Sequence, residues 1–269
     1  MRRRRTGGAD VTGHGGHADH AGAVAPVLLL LLAVAVAYLI AARATTWKGW
    51  RSALFVTGLA LVAAAVTGPV AAWAAADFRG HMAQHLLIGM LAPLGLVMGA
   101  PITLLLRTLP RAWARRLGGL LRHRAVHAVA NPITALVLSA GGLFVLYGTP
   151  LAAHEGLHGW VNLHFLLSGC LFAWVIAGPD PAPRRPPVVA RLVVLGVAIA
   201  GHSVLSQLMY AGIGVDLPVP EEQRRGAAEI MYYGGDLAEL LLALALVAGW
   251  RPRRTERRPT RGIVAGHHA

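Results

Sequence analysis

The chain is poor in cysteine, lysine and charged residues. Its 269 residues include one cysteine, Cys170, so neither an internal disulfide nor a CxxC metal site can form. The single lysine, Lys48, falls in a predicted loop, which excludes a retinal protein with a Schiff-base lysine in a seventh helix. Only 14% of residues are charged whereas 55% are hydrophobic. This composition indicates a polytopic membrane protein rather than a soluble domain.

The charges that are present are mostly positive, with 25 basic and 12 acidic residues and a formal net charge of +13. Such an excess can indicate nucleic-acid binding, but here the arginines cluster in short segments between apolar runs and at the two ends of the chain. That arrangement follows the positive-inside rule of membrane proteins. We therefore predict a multi-pass membrane protein with no nucleic-acid partner.

The sequence contains seven apolar runs of a length that can cross a bilayer. They are Val24–Ala42, Ala53–Ala72, Gln84–Leu106, Ile133–Gly148, Val161–Gly178, Val188–Ala211 and Ala228–Trp250. The first run resembles a signal peptide, but its long polar leader and full length favour a retained span. We predict an all-α protein with a disordered Arg/His-rich tail (1–23), a seven-helix membrane domain (24–250) and a basic tail (251–269).

The orientation follows from the distribution of arginine among the loops. The first, third and fifth loops and the C-terminal tail are basic, whereas the second and fourth loops carry at most one basic residue and the sixth is balanced by acids. The positive-inside rule places the basic group in the cytoplasm. The C-terminus is then cytoplasmic and the N-terminus outside, although Arg2 to Arg5 run against the rule.

Histidines are the main candidates for a functional site. His81 and His85 are four residues apart and share one face at the start of the third predicted helix, a spacing that can offer two imidazoles to one metal ion. With the predicted orientation, the histidines in the predicted spans lie at the outer side of the membrane, together with those in the outer loops. They are His81, His85, His154, His158, His164 and His202.

The sixth and seventh predicted helices add further candidates. His202, Ser206 and Met209 lie on one face of the sixth helix, and the seventh carries Glu229, Asp236 and Glu239. A carboxylate at that depth needs a partner such as His202 or His164. Imidazole and thioether ligands together suit copper, above all Cu(I). We predict a copper site formed by the six histidines and Met209.

Several stretches resemble the multi-span CtaG-type assembly factors of bacterial cytochrome c oxidase. The similarity covers Ala53 to Trp250 and rests on HMAQHLL and APLGLVMGAPITLLLR, on Asn131–Pro132, and on HEGLH with NLHFLLSGCLFAW. It continues through PRRPPVVARL, GHSVLSQLMY and EEQRRGAAEIMYYGGDLAELL. In this resemblance His81 and His85 correspond to the paired histidines of the family.

The resemblance implies a non-enzymatic role in the maturation of cytochrome c oxidase, through copper handling at the outer side of the membrane. The implied partners are oxidase subunits and an outer-side copper chaperone that donates Cu(I). A chaperone of this kind would pass its metal on, which requires an open or labile coordination position.

Two other functions fit parts of the sequence. A b-type cytochrome would ligate haem through histidines of different helices, for example His85 with His164 or His202. An intramembrane metalloenzyme would use His154, Glu155 and His158, which have the HExxH spacing, with the glutamate as general base. A metal transporter also remains open.

Overall fold

The computed structural model describes residues 15–149, 158–182, 185–215 and 218–250, and the regular elements in these ranges are all helical. In chain order they are α1 (Gly15–Arg43), α2 (Gly49–Val66), α3 (Gly68–Ala76), α4 (residues 78–98), α5 (Pro101–Thr108), α6 (Arg111–Leu121), α7 (Arg124–Val129), α8 (Pro132–Tyr147), α9 (His158–Ile176), α10 (Val188–Ala211) and α11 (Glu221–Ala248). Helix α1 begins at Gly15, inside the stretch expected to be a disordered tail. Residues 1–14 and 251–269 lie outside the described ranges.

Six helical segments of the described chain are long and apolar enough to cross a membrane. They are Val24–Arg43, Gly49–Val66, Phe78–Thr108, Gly159–Ile176, Val188–Ala211 and Glu221–Ala248. The seventh span expected at Ile133–Gly148 corresponds to α8, an apolar helix shorter than these six. The protein is therefore an all-helical multi-pass membrane protein, while the seventh crossing and the orientation of the termini stay predictions.

Helix α4 is the centre of the bundle. In the segment Phe78–Thr108, which contains α4, half of the most apolar stretch is buried inside the protein. The corresponding share is 6% in Val24–Arg43 of α1, which lies at the edge. α4 packs against α2, α3, α9 and α11. Two of these contacts are very close, because a Cβ atom at Gly95 would lie 2.7 Å from the Leu54 carbonyl oxygen of α2, and one at Gly169 of α9 would collide with the Gly89 carbonyl. Small residues allow this backbone approach in membrane helices.

The first turn of α4 is held by Asp77. Its carboxylate accepts a hydrogen bond from the Arg79 backbone N–H at 2.8 Å and pairs with the Arg79 guanidinium at 2.6 Å. The Arg79 side chain holds the pKa of the Asp77 carboxyl below its ordinary value. On the other side, the Phe78 N–H donates to Gln223 Oε1 at 3.2 Å, and this contact ties α4 to the start of α11.

The far end of α4 turns sharply into α5. Ala100 has a left-handed backbone (φ 55°), and Pro101 occupies the first turn of α5. The buried carboxylate of Asp180, from the segment between α9 and α10, accepts hydrogen bonds from Ile102 N–H at 3.0 Å and Thr103 N–H at 2.7 Å. A side chain almost eighty residues away in sequence therefore caps this short helix.

Candidate functional site

Two π-helical turns shape the interior of the bundle. One, Leu87–Leu91, interrupts α4 and begins two residues after His85, and the other, Val137–Gly141, interrupts α8. Such bulges are rare in proteins overall, but many of those that occur lie at functional sites. Gly89 and Met90 from the first turn and Ser139 from the second line the same cavity.

This cavity lies among α4, α8, α9, α10 and α11 and has a volume of about 60 Å³. A space of this size holds several waters or one ion with part of its ligand shell. Most of the lining is apolar. The polar or sulfur-bearing side chains that line it are His85, Met90, Ser139, His202 and Glu239.

His202 and Glu239 form a buried pair beside the cavity. Their side chains are 6% and 5% exposed, and His202 Nδ1 lies 3.6 Å from Glu239 Oε1. The remaining polar atoms, His202 Nε2 and Glu239 Oε2, have no hydrogen-bond partner among the described residues. A buried polar atom without a partner costs about 1–3 kcal/mol, so both atoms are available to a ligand that enters the cavity.

Glycine makes room for the His202 ring. A Cβ atom at Gly235, one turn before Glu239 in α11, would lie 2.6 Å from His202 Cε1. Residues 235 and 239 are four apart, so one face of α11 supplies both the space for the imidazole and the carboxylate beside it.

His85 contributes the second imidazole to the cavity. Its ring is 5% exposed and packs edge-on against Phe165 at 4.4 Å between centroids. It lies within electrostatic range of both His202 and His81. Two imidazoles predicted as ligands, from α4 and α10, thus line the same small space.

The other predicted ligands lie elsewhere. His81, one turn before His85, is half-buried and stacks on Phe78 at 5.8 Å between ring centroids. His164 is exposed, and its Nε2 lies 3.1 Å from the Leu138 carbonyl of the α8 π turn. Met209 is fully buried in an apolar cluster with Met82 and Met231, away from the cavity lining.

The last two predicted ligands are His154 and His158. His154 lies outside the described residues, and of His158 only the backbone position, at the start of α9, is described. The HExxH reading therefore stays untested. Among the residues that the structure does describe, no group of three His, Cys, Asp or Glu side chains is arranged to hold a metal ion.

The sequence predicts that Glu239 needs a partner but does not predict that it lines the site. Met90 and the two π turns were not predicted from the sequence either. The signal for Glu239 was available, since it is an acid within an apolar run four residues after a glycine. The π turns carry no such signal, because their residues are as apolar as those of an ordinary membrane helix.

The size of the cavity is evidence about the alternative of a haem-binding protein. His85 and His202 are on different helices, as a haem protein requires. A space of about 60 Å³ is far smaller than the 300–1,000 Å³ typical of pockets for larger organic ligands. The geometry therefore favours a single ion or small molecules over a porphyrin.

Comparison with known proteins gives related sequences without a known function. Uncharacterized proteins of Mycobacterium leprae, Mycobacterium bovis and Mycobacterium tuberculosis are each 32% identical over 236 residues. The matches cover 76% of this chain for the first and 77% for the other two. This chain spans only 35% of the length of these curated relatives. No solved structure matches it.

The family comparison is more informative. The family described as "Cytochrome c oxidase caa3 assembly factor" matches residues 24–253, which include every helix that lines the cavity. The resemblance inferred from HMAQHLL, APLGLVMGAPITLLLR and the stretches after them is thereby confirmed. The chain belongs to the cytochrome c oxidase caa3 assembly factor family.

Proposed function

We propose that this protein assists cytochrome c oxidase assembly by holding Cu(I) as cargo between His85 and His202 and passing it to an oxidase subunit. The observation that carries the proposal is the buried, unpartnered Nε2 of His202 on the cavity wall. Family membership supplies the assembly role, and the histidines supply the chemistry.

The position of Glu239 supports a ligand role for His202. Because Oε1 of Glu239 lies on the Nδ1 side of the ring, we assign the proton of the neutral imidazole to Nδ1. Nε2 then carries the lone pair. A carboxylate behind a histidine in this way is the usual outer partner of a metal-bound imidazole, where it fixes the tautomer and raises the basicity of the ligand.

The small number of ligands favours Cu(I) over zinc. A structural zinc site requires four ligands in a closed tetrahedron, and the described residues offer no ready group of three. Cu(I) is soft and accepts fewer ligands, so two imidazoles and the nearby Met90 thioether suit it. Incomplete coordination also suits a protein that releases its metal.

The test is copper binding by the purified full chain under reducing conditions, measured by competition with a colorimetric Cu(I) chelator. We compare the wild type with a His85→Gln, His202→Gln double variant and with His123→Gln, His127→Gln as the matched control, since both control positions lie outside the cavity. We expect one Cu(I) per chain in the wild type and control, and loss of binding in the first variant.

A second measurement tests the assembly role. Cells lacking their own assembly factor should recover copper-loaded, active oxidase with the wild type and the control, but not with the His85, His202 variant. Absence of copper from the wild type, or equal copper in all three proteins, would contradict the metal-holding step. Normal oxidase activity with the double variant would contradict its role in assembly.

A further inference from the structure

Helix α6, none of whose residues line the histidine cavity, is amphipathic. Arg111 and Arg115 are one turn apart on one side, whereas Trp113, Leu117 and Leu120 follow each other at helical spacing on another. The helix follows α5 after a two-residue link, directly at the end of the long segment Phe78–Thr108. It therefore starts where a membrane-spanning segment ends.

No residue of α6 is buried by the described part of the chain. Trp113 is 57% exposed and Leu120 is 60% exposed. The main packing partners of α6 are its chain neighbours α5 and α7. An amphipathic helix with an uncovered apolar face beside a span is typical of helices that lie in the membrane interface, where tryptophan is also enriched.

The basic side of α6 forms a groove. Arg111, Arg115 and Arg122 line a space of about 410 Å³ together with Ala114 and Gly118. Arg122 extends back along the helix, with its guanidinium 3.6 Å from the position of a Cβ atom at Gly118. The small residues thus leave the floor of the groove open between the three guanidinium groups.

These guanidinium groups have no acidic partner in the part of the chain that the structure describes. The sequence contains no Asp or Glu from residue 78 to residue 154, and no ion pair of these three arginines occurs among the described residues. Arg116, by contrast, lies over the Trp113 ring at 4.9 Å. Three clustered cations repel one another unless an anion joins them.

We infer that the groove formed by Arg111, Arg115 and Arg122 binds the phosphate of an anionic phospholipid. Guanidinium forks match phosphate oxygens in pairs, which gives both charge and shape complementarity. The apolar side of the same helix would bury Trp113 and Leu120 among the acyl chains. A phospholipid offers both a phosphate and apolar chains, whereas a soluble anion offers only the charge.

The inference is independent of copper handling and is tested on the purified full chain. We compare the wild type with Arg111→Gln, Arg115→Gln, and use Arg116→Gln, Arg124→Gln as a control that removes equal charge from outside the groove. After delipidation, binding of phosphatidylglycerol is measured by native mass spectrometry, with phosphatidylcholine and inorganic phosphate as competing probes.

We expect phosphatidylglycerol to bind the wild type and control, and its affinity for the groove variant to fall at least about tenfold, because this variant loses charge-assisted hydrogen bonds to the phosphate. Equal losses in both variants would show general charge attraction and overturn the inference. Equal binding of phosphatidylcholine, or displacement of the lipid by inorganic phosphate alone, would also overturn it. Unchanged copper binding in all variants would keep the two sites distinct.

Discussion

At the level of single residues, His202 and Glu239 lie in a place where polar groups are costly. The Glu239 carboxylate loses several kcal/mol of hydration when buried, and its contact with His202 at 3.6 Å is too long to restore this fully. Replacing the pair by apolar side chains would therefore not be expected to reduce stability by much. The proposed role in metal handling therefore explains the pair better than a role in folding does.

Glu239→Gln should weaken Cu(I) binding about tenfold to a hundredfold without abolishing it. The amide keeps the shape of the side chain but loses the charge that favours the proton on Nδ1 of His202. The measurement is the Cu(I) affinity by chelator competition.

Glu229→Gln is the control for this prediction, because Glu229 is an exposed acid on the same helix. It should leave the Cu(I) affinity unchanged. An equal effect of the two substitutions would mean that Glu239 acts only through overall charge. No effect of Glu239→Gln would mean that His202 is not held by this carboxylate.

At the level of secondary structure, the contact between α4 and α9 forms one wall of the cavity. Gly89 belongs to the π turn of α4, and Gly169 faces its carbonyl from α9. Gly169 and Phe165, which packs on His85, are one turn apart on the same face of α9. The spacing of these two helices therefore also positions the His85 ring.

Gly169→Ala should destabilise the protein by about 1–3 kcal/mol, because the added methyl group has no space and must separate the helices. The matched control is Gly196→Ala in α10, where a Cβ atom meets no neighbour within 4 Å. The control should be neutral or stabilise by up to roughly 1 kcal/mol through helix propensity.

The measurement is thermal unfolding in detergent for the wild type and both variants. A midpoint for Gly169→Ala at or above that of the control would contradict the close contact between α4 and α9. We also expect Gly169→Ala to lower the Cu(I) affinity, because it shifts the wall that carries Phe165.

The bounds of some helices can be predicted from the sequence, whereas those of others cannot. Val188–Ala211 was predicted with the observed bounds, since arginine and proline mark one end and glycine the other. The span predicted at Ala53–Ala72 is instead broken at Gly68, which has φ 61°, so that α2 ends at Val66 and α3 follows. Hydropathy does not detect such a break, because the residues on both sides are apolar.

The site shows the same limit. The helical spacing of His81 and His85 placed them correctly on neighbouring turns, yet only His85 lines the cavity. The other imidazole of the cavity, His202, is more than a hundred residues away from His85, and spacing within one helix does not determine which helices meet. Packing between glycines and the two π turns determines it, and neither is readable from hydrophobic periodicity.

At the level of the whole molecule, the number of membrane crossings decides on which side each loop lies. Helix α8 is about 24 Å long at 1.5 Å per residue, somewhat less than the roughly 30 Å of a hydrocarbon core. Ile133, Val137 and Val145 are nevertheless 64%, 61% and 55% exposed, so apolar surface continues along its length. A short helix of this kind can cross where the bilayer thins.

We predict that α8 crosses the membrane, which gives seven spans and places Thr108 in the cytoplasm and Thr149 outside. The arginine-rich stretch between α5 and α8 contains no acid and favours the cytoplasmic side. Single cysteines at these two positions, in a Cys170→Ser background, should react differently with a membrane-impermeant maleimide applied to intact cells.

Thr149→Cys should be labelled in intact cells, whereas Thr108→Cys should react only after the membrane is permeabilised. Labelling of Thr12→Cys from outside and of Thr260→Cys only after permeabilisation would then place the two ends of this chain on opposite sides, as an odd number of crossings requires. If Thr108→Cys and Thr149→Cys behave alike, α8 does not cross. The starts of α4 and α9 would then lie on opposite sides of the membrane, and copper entry from one outer surface would need a different path.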